Sequence, residues 1–267
     1  MVRIIVALVL VAVFLSAAGP GALGAPGDII SSFPVTSHTT WPAGVYRDGT
    51  YVYFVVSWPP EPSDSAYKYT PAGEFVDHFH FKIWNWYPLN DPDHSRLGDG
   101  YMTAGTEGNF LITYELATGN WVGNTPIGIY DIGGYAYRGG GARFAFATDD
   151  AGTTYKFNPA WHVVSSFAWG GALAATDRYD GRSGNYVIVN STPAYVYTGA
   201  GSLVGTFANR GGRGCTCGPG YPAGWGTTFW NYRTISATEY MVYQIDLGNA
   251  TVSILPASAG RIKALFR

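Results

Sequence analysis

A phrase of strand, turn and second strand recurs along the chain, and it restricts the possible folds more than any other feature. The copies read "AYKYTPAGEFVDHF", "LITYELATGNWVGN", "TTYKFNPAWHVVSSF", "PAYVYTGAGSLVGTF" and "MVYQIDLGNATVSI". Anchored at Gly73, Gly119, Trp161, Gly201 and Gly248, they lie 46, 42, 40 and 47 residues apart. Two further short strands fit between copies, and four strands in each unit of about 40–50 residues is the pattern of a β-propeller blade.

The repeat predicts an all-β protein, a β-propeller of five four-stranded blades. Six blades are the alternative for the number of blades, and a β-sandwich or β-helix is the alternative for the fold. The segment "DIISSFPV" resembles the last strand of each unit but has no blade of its own, so we expect it to complete the last blade and close the ring. The propeller domain should cover residues 27–256, with 257–267 as a tail or an added strand.

The inner strand of each blade is predicted at the glycine-rich phrases "GVYRDG", "RLGDG", "AYRGGG" and "DRYDG", and at "TFWNYR" in the last unit. The order of these phrases resembles secreted bacterial propellers with YncE-, NHL- or kelch-like repeats. The inner strand of those proteins usually reads Gly-Leu-Ala-Trp-Asp-Gly, and this chain departs from that pattern. The resemblance implies the fold and no particular activity, because propellers have unrelated functions.

Residues 1–25 have the composition of a secretory signal peptide. Arg3 precedes an apolar run over 4–18, and small residues and helix breakers follow. An uncleaved anchor is the alternative. We expect a secreted protein, extracellular or periplasmic, with no membrane span in the mature chain. The formal net charge of −2 provides no basic field to attract nucleic acid, so we expect no nucleic-acid partner. We also expect the protein to be a monomer.

The loops that lead into the inner strands should gather at one face of a propeller. They hold the aromatic residues that we assign to ligand binding: Trp41, Trp84, Trp86, Tyr87, Trp169, Tyr221 and Trp225. Tyr130 lies in the same class of loop. Flat aromatic rings stack on sugars or anchor a protein partner, although they also cap blades and fill the gaps between them.

Two groups of residues have side chains that can ligate a metal ion. Asp91, Asp93 and His94 fall in a predicted loop, and His38 in a neighbouring loop is a further candidate ligand for zinc. Hard cations and zinc need more ligands than this segment supplies. An Asn-Asp-Pro-Asp segment is more often a solvated turn. His78 and His80 should share one face of an outer strand. We therefore assign no metal and no cofactor.

Channel-side carboxylates are the candidates for catalysis. They are Asp48, Asp99, Asp177 and Asp180, and three of them stand in Asp-Gly pairs, which are common turn signals. We found no catalytic triad and no nucleotide-binding motif. The leading prediction is therefore a binding or scaffold module that presents its aromatic loops to a glycan or an extracellular protein. A glycan-active hydrolase or lyase is the alternative, and a structural cell-surface protein is a third possibility.

The two cysteines, Cys215 and Cys217, are predicted to lie in the loop before the inner strand of the fifth blade. Export through an oxidising compartment favours a disulfide between them. Two residues of extended strand span roughly 6.7 Å, near the upper limit for a bridged pair, so the chain would have to turn at Thr216. Free thiols, and metal or redox chemistry, are the alternatives.

Overall fold

A computed structural model describes residues 25–37, 41–57, 64–82, 89–98, 100–138, 144–209, 215–218 and 228–248. Within these ranges the chain forms twenty β-strands and no helix, and the strands make five four-stranded antiparallel sheets arranged as a five-bladed propeller. The predicted fold and number of blades are therefore confirmed. None of the described residues belongs to a helix with the length and apolarity needed to cross a bilayer.

The strands follow one order in every blade, from the inner strand at the channel to the outer strand at the perimeter. The first strand of the chain, β1 (Ile29–Thr36), belongs to the last blade. Blade one holds β2 (Pro42–Arg47), β3 (Val52–Val56), β4 (Ser65–Tyr69) and β5 (Phe75–His80). Blade two holds β6 (Leu89–His94), β7 (Tyr101–Thr106), β8 (Phe110–Glu115) and β9 (Trp121–Pro126).

Blade three holds β10 (Gly134–Arg138), β11 (Phe144–Thr148), β12 (Thr154–Phe157) and β13 (Val163–Phe167). Blade four holds β14 (Ala172–Tyr179), β15 (Arg182–Asn190), β16 (Ala194–Thr198) and β17 (Leu203–Phe207). Blade five holds β18 (Thr216–Gly218), β19 (Thr228–Thr234), β20 (Glu239–Asp246) and, as its outer strand, β1.

The ring closes through β1, as predicted. This strand pairs antiparallel with β20, from Ile29 opposite Ile245 to Thr36 opposite Glu239. Phe33 is buried in the core cluster between blades five and one. The first described strand and the last therefore form one seam, and the apolar cores lie between neighbouring blades.

Burial on both faces explains why the middle strands are almost continuously apolar. All five residues of β3 are buried, and so are all five of β11. Each blade is covered by the next one, so both faces of strands such as β3 and β11 are shielded from water.

The five turn anchors of the repeat share a left-handed backbone. The φ angles are +89° at Gly73, +67° at Gly119, +98° at Gly201 and +80° at Gly248. A Cβ atom at Gly73 would lie 2.4 Å from Cβ of Phe33 in the preceding blade, so glycine is required there for close packing as well. Trp161 takes the same position in blade three with φ +61°, an uncommon conformation for a bulky residue.

Two inner strands lie elsewhere than predicted. In blade two the inner strand is β6, over "LNDPDH", and not the "RLGDG" that follows it. In blade five it is β18, which contains Cys217, while "TFWNYR" belongs to the middle strand β19. Both true inner strands lack an apolar pattern, and Asp-Pro-Asp looks like a turn in sequence, because proline is unusual in a paired strand.

Candidate functional site

Three side chains of β6 fill the centre of the channel, and we call Asp91, Asp93 and His94 the channel plug. Their side chains are buried, with at most 1% of each residue exposed. The register of β6 shifts between Asn90 and Asp93, and Asp91 has a φ of +44°. This bulge interrupts the regular strand pairing of β6 at Asp91. The Asp91 carboxylate forms hydrogen bonds with the inner strands across the channel.

The Asp91 carboxylate joins the inner strands of three other blades. Its Oδ2 accepts hydrogen bonds from the backbone N–H of Tyr135, at 2.8 Å, and of Leu173, at 2.7 Å. Its Oδ1 accepts one from the N–H of Cys215, at 2.9 Å. Buried backbone donors need partners, and these amides at the inner edges of blades three to five find theirs in this one side chain.

Asp93 and His94 extend the same network. Oδ1 of Asp93 accepts from the Thr216 hydroxyl at 2.8 Å, and its Oδ2 accepts from the N–H of Tyr137 at 3.2 Å. His94 Nε2 lies 2.8 Å from the carbonyl oxygen of Cys217, which only accepts, so Nε2 carries the proton. His94 Nδ1 lies 3.4 Å from the hydroxyl of Tyr46 in blade one. The plug therefore contacts the inner strands of all four other blades.

Burial dominates the protonation of the plug. It raises the pKa of Asp91 well above its ordinary value, against the lowering effect of the three amide donors. It raises the pKa of Asp93 to about 7 and lowers that of His94 to about 4, so His94 is neutral at neutral pH. Among the residues that the structure describes, no group of three His, Cys, Asp or Glu side chains is placed to hold a metal ion.

A funnel of about 880 Å³ opens above the plug, at the end of the channel where the inner strands begin. Asn90 and Asp91 lie among its lining residues, which also include Trp41, Glu107, Asp131, Asp149 and Asp150. The side chains of Glu107, Asp131 and Asp150 are exposed. None of the described residues that line the funnel carries a positive charge. We call this space the funnel.

The described aromatic residues of the predicted ligand face divide into two kinds. Trp41 is 55% exposed at the funnel and Tyr130 is 67% exposed in the loop before β10. Trp169 is buried, with Phe167 stacked at 4.1 Å and Tyr197 at 4.3 Å between ring centroids, so its ring caps a blade rather than facing a ligand. The others lie outside the described residues, namely Trp84, Trp86, Tyr87, Tyr221 and Trp225.

The predicted disulfide is wrong: Cys215 and Cys217 are free thiols. Both are fully buried in the core cluster between blades four and five. Alternate residues of an extended chain point to the same face, so the two thiols pack side by side into that core while Thr216 points to the plug. Burial raises the pKa of both thiols well above the ordinary value, which keeps them protonated.

The predicted channel-side carboxylates are not the ones at the funnel. Asp48 lies in the turn at the opposite end of β2, where its Oδ1 accepts from the N–H groups of Thr50 and Tyr51. Asp180 is exposed in the β14–β15 turn, with a φ of +50°, Asp177 is half-buried near the end of β14, and Asp99 lies outside the described residues. The acidic residues of the funnel were missed because each stands in a short loop such as "TEGN" or "TDDAG" that resembles an ordinary turn.

The two histidines of β5 do share one face, as predicted. The ring centroids of His78 and His80 are 5.1 Å apart, and the His78 ring stacks on Tyr67 at 4.2 Å. This stacking gives His78 a packing role at the perimeter, far along the blade from the channel.

Comparison with known proteins identifies the fold alone. No family model matches the sequence, and no curated protein matches it. The solved structure of Myxococcus xanthus glutaminyl cyclase is similar, with a TM-score of 0.53 and 12% identity over 82% of this chain and 96% of that chain. BBS1N, solved in complex with ARL6DN, has a TM-score of 0.41 and 13% identity over 78% of this chain and 66% of that one. The YncE-, NHL- or kelch-like character of the repeats stays a prediction.

Proposed function

We propose that this protein is a binding module that takes the end of a neutral or amine-bearing glycan into the funnel. The observation that carries the proposal is Trp41, whose largely exposed ring stands at the edge of a cavity lined by carboxylates and amides. A flat aromatic ring stacks on the apolar face of a sugar, and carboxylates and amides accept hydrogen bonds from its hydroxyl groups.

The charge of the funnel supports this class of ligand. Glu107, Asp131 and Asp150 place exposed carboxylates around the cavity, and none of its described lining residues offsets them. Like charges repel at close range, so a sulfated, phosphorylated or uronic-acid sugar is disfavoured. A sugar hydroxyl or ammonium group donates to the same carboxylates favourably.

The plug supports binding of a chain end. Asp91 lies at the funnel floor, and its carboxylate is bonded to three backbone amides across the channel. A glycan that enters the funnel therefore meets a closed floor and cannot thread through the ring.

The test is retention of the purified protein on a glycan panel that includes neutral, amino and acidic polysaccharides. Trp41→Ala should reduce retention on the neutral or amino members at least about tenfold, since a stacked aromatic hot spot contributes 2 kcal/mol or more. Trp121→Ala is the matched control, because Trp121 is 50% exposed on the outer strand β9, away from the funnel. Equal losses in both variants, or no retention on any member, would remove the glycan proposal and favour a protein partner or a structural role.

A glycan-active hydrolase is the second candidate, and the observation that favours it is the presence of several exposed carboxylates around one cavity. Glycoside hydrolysis needs two carboxyl groups on either side of the scissile bond. Reducing-sugar release from the retained glycan tests it. Release that Glu107→Gln or Asp131→Asn abolishes, with retention intact, would make the protein an enzyme, and the absence of release leaves it a binder.

We also propose that the protein is exported and acts as a monomer. The sequence of residues 1–25 supports export. The mass of the protein recovered from the periplasm or medium should lack those residues, and sedimentation should give the mass of one chain. A full-length N-terminus on a cytoplasmic protein would contradict export.

A further inference from the structure

A second cavity, separate from the funnel, lies between blades two and three, and we call it the interblade pocket. It has a volume of about 280 Å³. Its lining comes from the loop after β6, from strands β7, β8 and β9, and from Tyr135 and Trp161 of blade three. The pocket shares no lining residue with the funnel, so an inference about it does not depend on the proposed glycan site.

Blade two carries two threonines at a position where blades one and three each pair an aromatic residue with a lysine. The middle strands of blade two place Thr103 opposite Thr113, and both residues line the pocket. At the corresponding cross-strand positions blade three has Phe146 opposite Lys156. Blade one has a Tyr–Lys pair and blade four an Ile–Val pair there. Two threonines fill less of the space between blades than an aromatic–lysine pair does, and the pocket between blades two and three lies beside them.

An arginine side chain stands in the wall of the pocket. Among the described lining residues Arg96 is the only charged one, and its guanidinium lies 5.1 Å from the centroid of the Trp161 ring. A cation held against an aromatic face keeps its position more firmly than a free side chain does. Trp161 is also the residue with a left-handed backbone at the turn position where the other four blades have glycine. A bulky residue kept in such a conformation is a pointer to function.

Hydroxyl groups form the floor. Oγ1 of Thr103 and Oγ1 of Thr113 are 2.9 Å apart, and the Tyr135 hydroxyl beside them donates to the carbonyl oxygen of His94 at 3.3 Å. Leu97 and Val122 add apolar surface to the lining. The described lining of the pocket therefore combines a positive charge, hydroxyl groups and apolar side chains in a volume suited to a small molecule.

We propose that the interblade pocket binds a small monocarboxylate with an apolar body. The carboxylate pairs with the Arg96 guanidinium, which presents paired N–H donors that match a carboxylate. The apolar body lies against Leu97, Val122 and the Trp161 ring. A dianion is disfavoured because the described lining residues offer no second cation to pair with its second charge. A cationic ligand is disfavoured because Arg96 repels it.

The experiment uses benzoate as the probe and benzamide as its neutral counterpart of nearly the same shape. Each is titrated into the full mature protein while the assigned indole N–H resonance of Trp161 is followed by NMR. Benzoate should shift this resonance in a saturable way, and benzamide should bind at least about tenfold more weakly, the difference expected for a lost charge-assisted pair. Arg96→Gln should weaken benzoate to the level of benzamide.

Two variants separate a site from a surface effect. Arg178→Gln removes an exposed arginine of blade four and should leave benzoate binding unchanged, whereas Thr113→Leu fills the cavity and should weaken both probes. The proposal is overturned if benzoate and benzamide bind equally. It is also overturned if the Trp161 resonance does not move at concentrations on the order of 10 mM, or if Arg178→Gln costs as much as Arg96→Gln.

Discussion

The channel plug and the funnel hold carboxylates in the same channel, but they use them in opposite ways. In the plug, Asp91 and Asp93 are buried and their oxygens accept hydrogen bonds from the inner strands of other blades. In the funnel, Glu107 and Asp131 are exposed to solvent beside Trp41. The difference shows that position along one channel does not decide the role of an acidic residue, whereas its hydrogen-bond partners do.

The plug also explains how a ring of separate blades acquires a common centre. Each inner strand has a strand partner on one side only, so its other edge faces the channel. A protein that fills the channel with water can satisfy these groups by hydration, but this one satisfies several of them with side chains of a single strand, β6. We therefore expect changes in the plug to affect folding and changes in the funnel to affect binding.

The largest expected effect is that of Asp91→Ala. It leaves three buried amides without an acceptor, at a cost of about 1–3 kcal/mol for each, so the variant should be severely destabilised or fail to fold. Glu107→Ala, the matched change in the funnel, should alter the free energy of unfolding by no more than about 0.5 kcal/mol. Urea unfolding measures both. Similar losses of unfolding free energy in the two variants would show that the plug is no more important for stability than the funnel.

The pH dependence of stability tests the plug in a second way. The pKa of Asp93 is raised to about 7, so its contribution to stability is full below the unfolded-state value and is lost as the pH rises from about 4 to about 7. The pKa of His94 is lowered to about 4, so its contribution is present at higher pH and is lost as the pH falls from about 6.5 through about 4. The two trends oppose each other between about pH 4 and 6.5.

Replacing the histidine removes one of these opposing trends. In His94→Gln, the free energy of unfolding should fall more steeply with rising pH than in the wild type. The difference in slope between about pH 4 and 6.5 should be of order 1 kcal/mol for each pH unit. Urea unfolding at a series of pH values measures the slopes. Parallel curves for the two proteins would show that His94 is not held neutral in the folded state.

A smaller effect is expected from Thr216→Val, which keeps the shape of the side chain but removes the hydroxyl that donates to Asp93. The loss should be about 1–3 kcal/mol, because the acceptor stays buried. The same donor lowers the pKa of Asp93, so its removal should raise that pKa further and move the fall in stability to higher pH. Thr125→Val, in the outer strand β9, is the control. An equal loss of unfolding free energy in that variant would show that the Thr216 hydroxyl does not stabilise the plug.

The smallest expected effect is that of a reducing agent. Because Cys215 and Cys217 are free and buried, adding dithiothreitol should leave the melting temperature unchanged. A thiol reagent should modify both cysteines only after the protein is unfolded, since their raised pKa and burial keep them unreactive. A fall in melting temperature on adding the reductant would show that Cys215 and Cys217 form a disulfide after all.

The features that the sequence predicted are those that its local patterns record. The turn anchors Gly73, Gly119, Trp161, Gly201 and Gly248 all proved to have a left-handed backbone, and the repeat of the outer-strand phrase placed β1 in the last blade. Repeated glycines and alternating apolar residues are determined by backbone conformation and blade packing, and both act over a few residues or once in each blade.

The plug could not be predicted in this way, because its meaning depends on distant partners. Asp91 bonds to amides that lie 44, 82 and 124 residues further along the chain. Locally, Asn-Asp-Pro-Asp favours a turn, and only the assembled ring supplies the donors that make it a strand. The disulfide prediction was wrong for a related reason. Because Cys217 belongs to an inner strand, the alternation of side chains directs both thiols into the core.

The Asp91 side chain accepts hydrogen bonds from the amides of Tyr135, Leu173 and Cys215, and we expect these bonds to last as long as the protein is folded. Native-state hydrogen exchange measures this persistence directly in the unmodified protein. The amides of Tyr135, Leu173 and Cys215 should exchange only through global unfolding, while that of Asp150 at the funnel should exchange much faster. Exchange of any of the three plug amides at a rate similar to that of Asp150 would contradict the account.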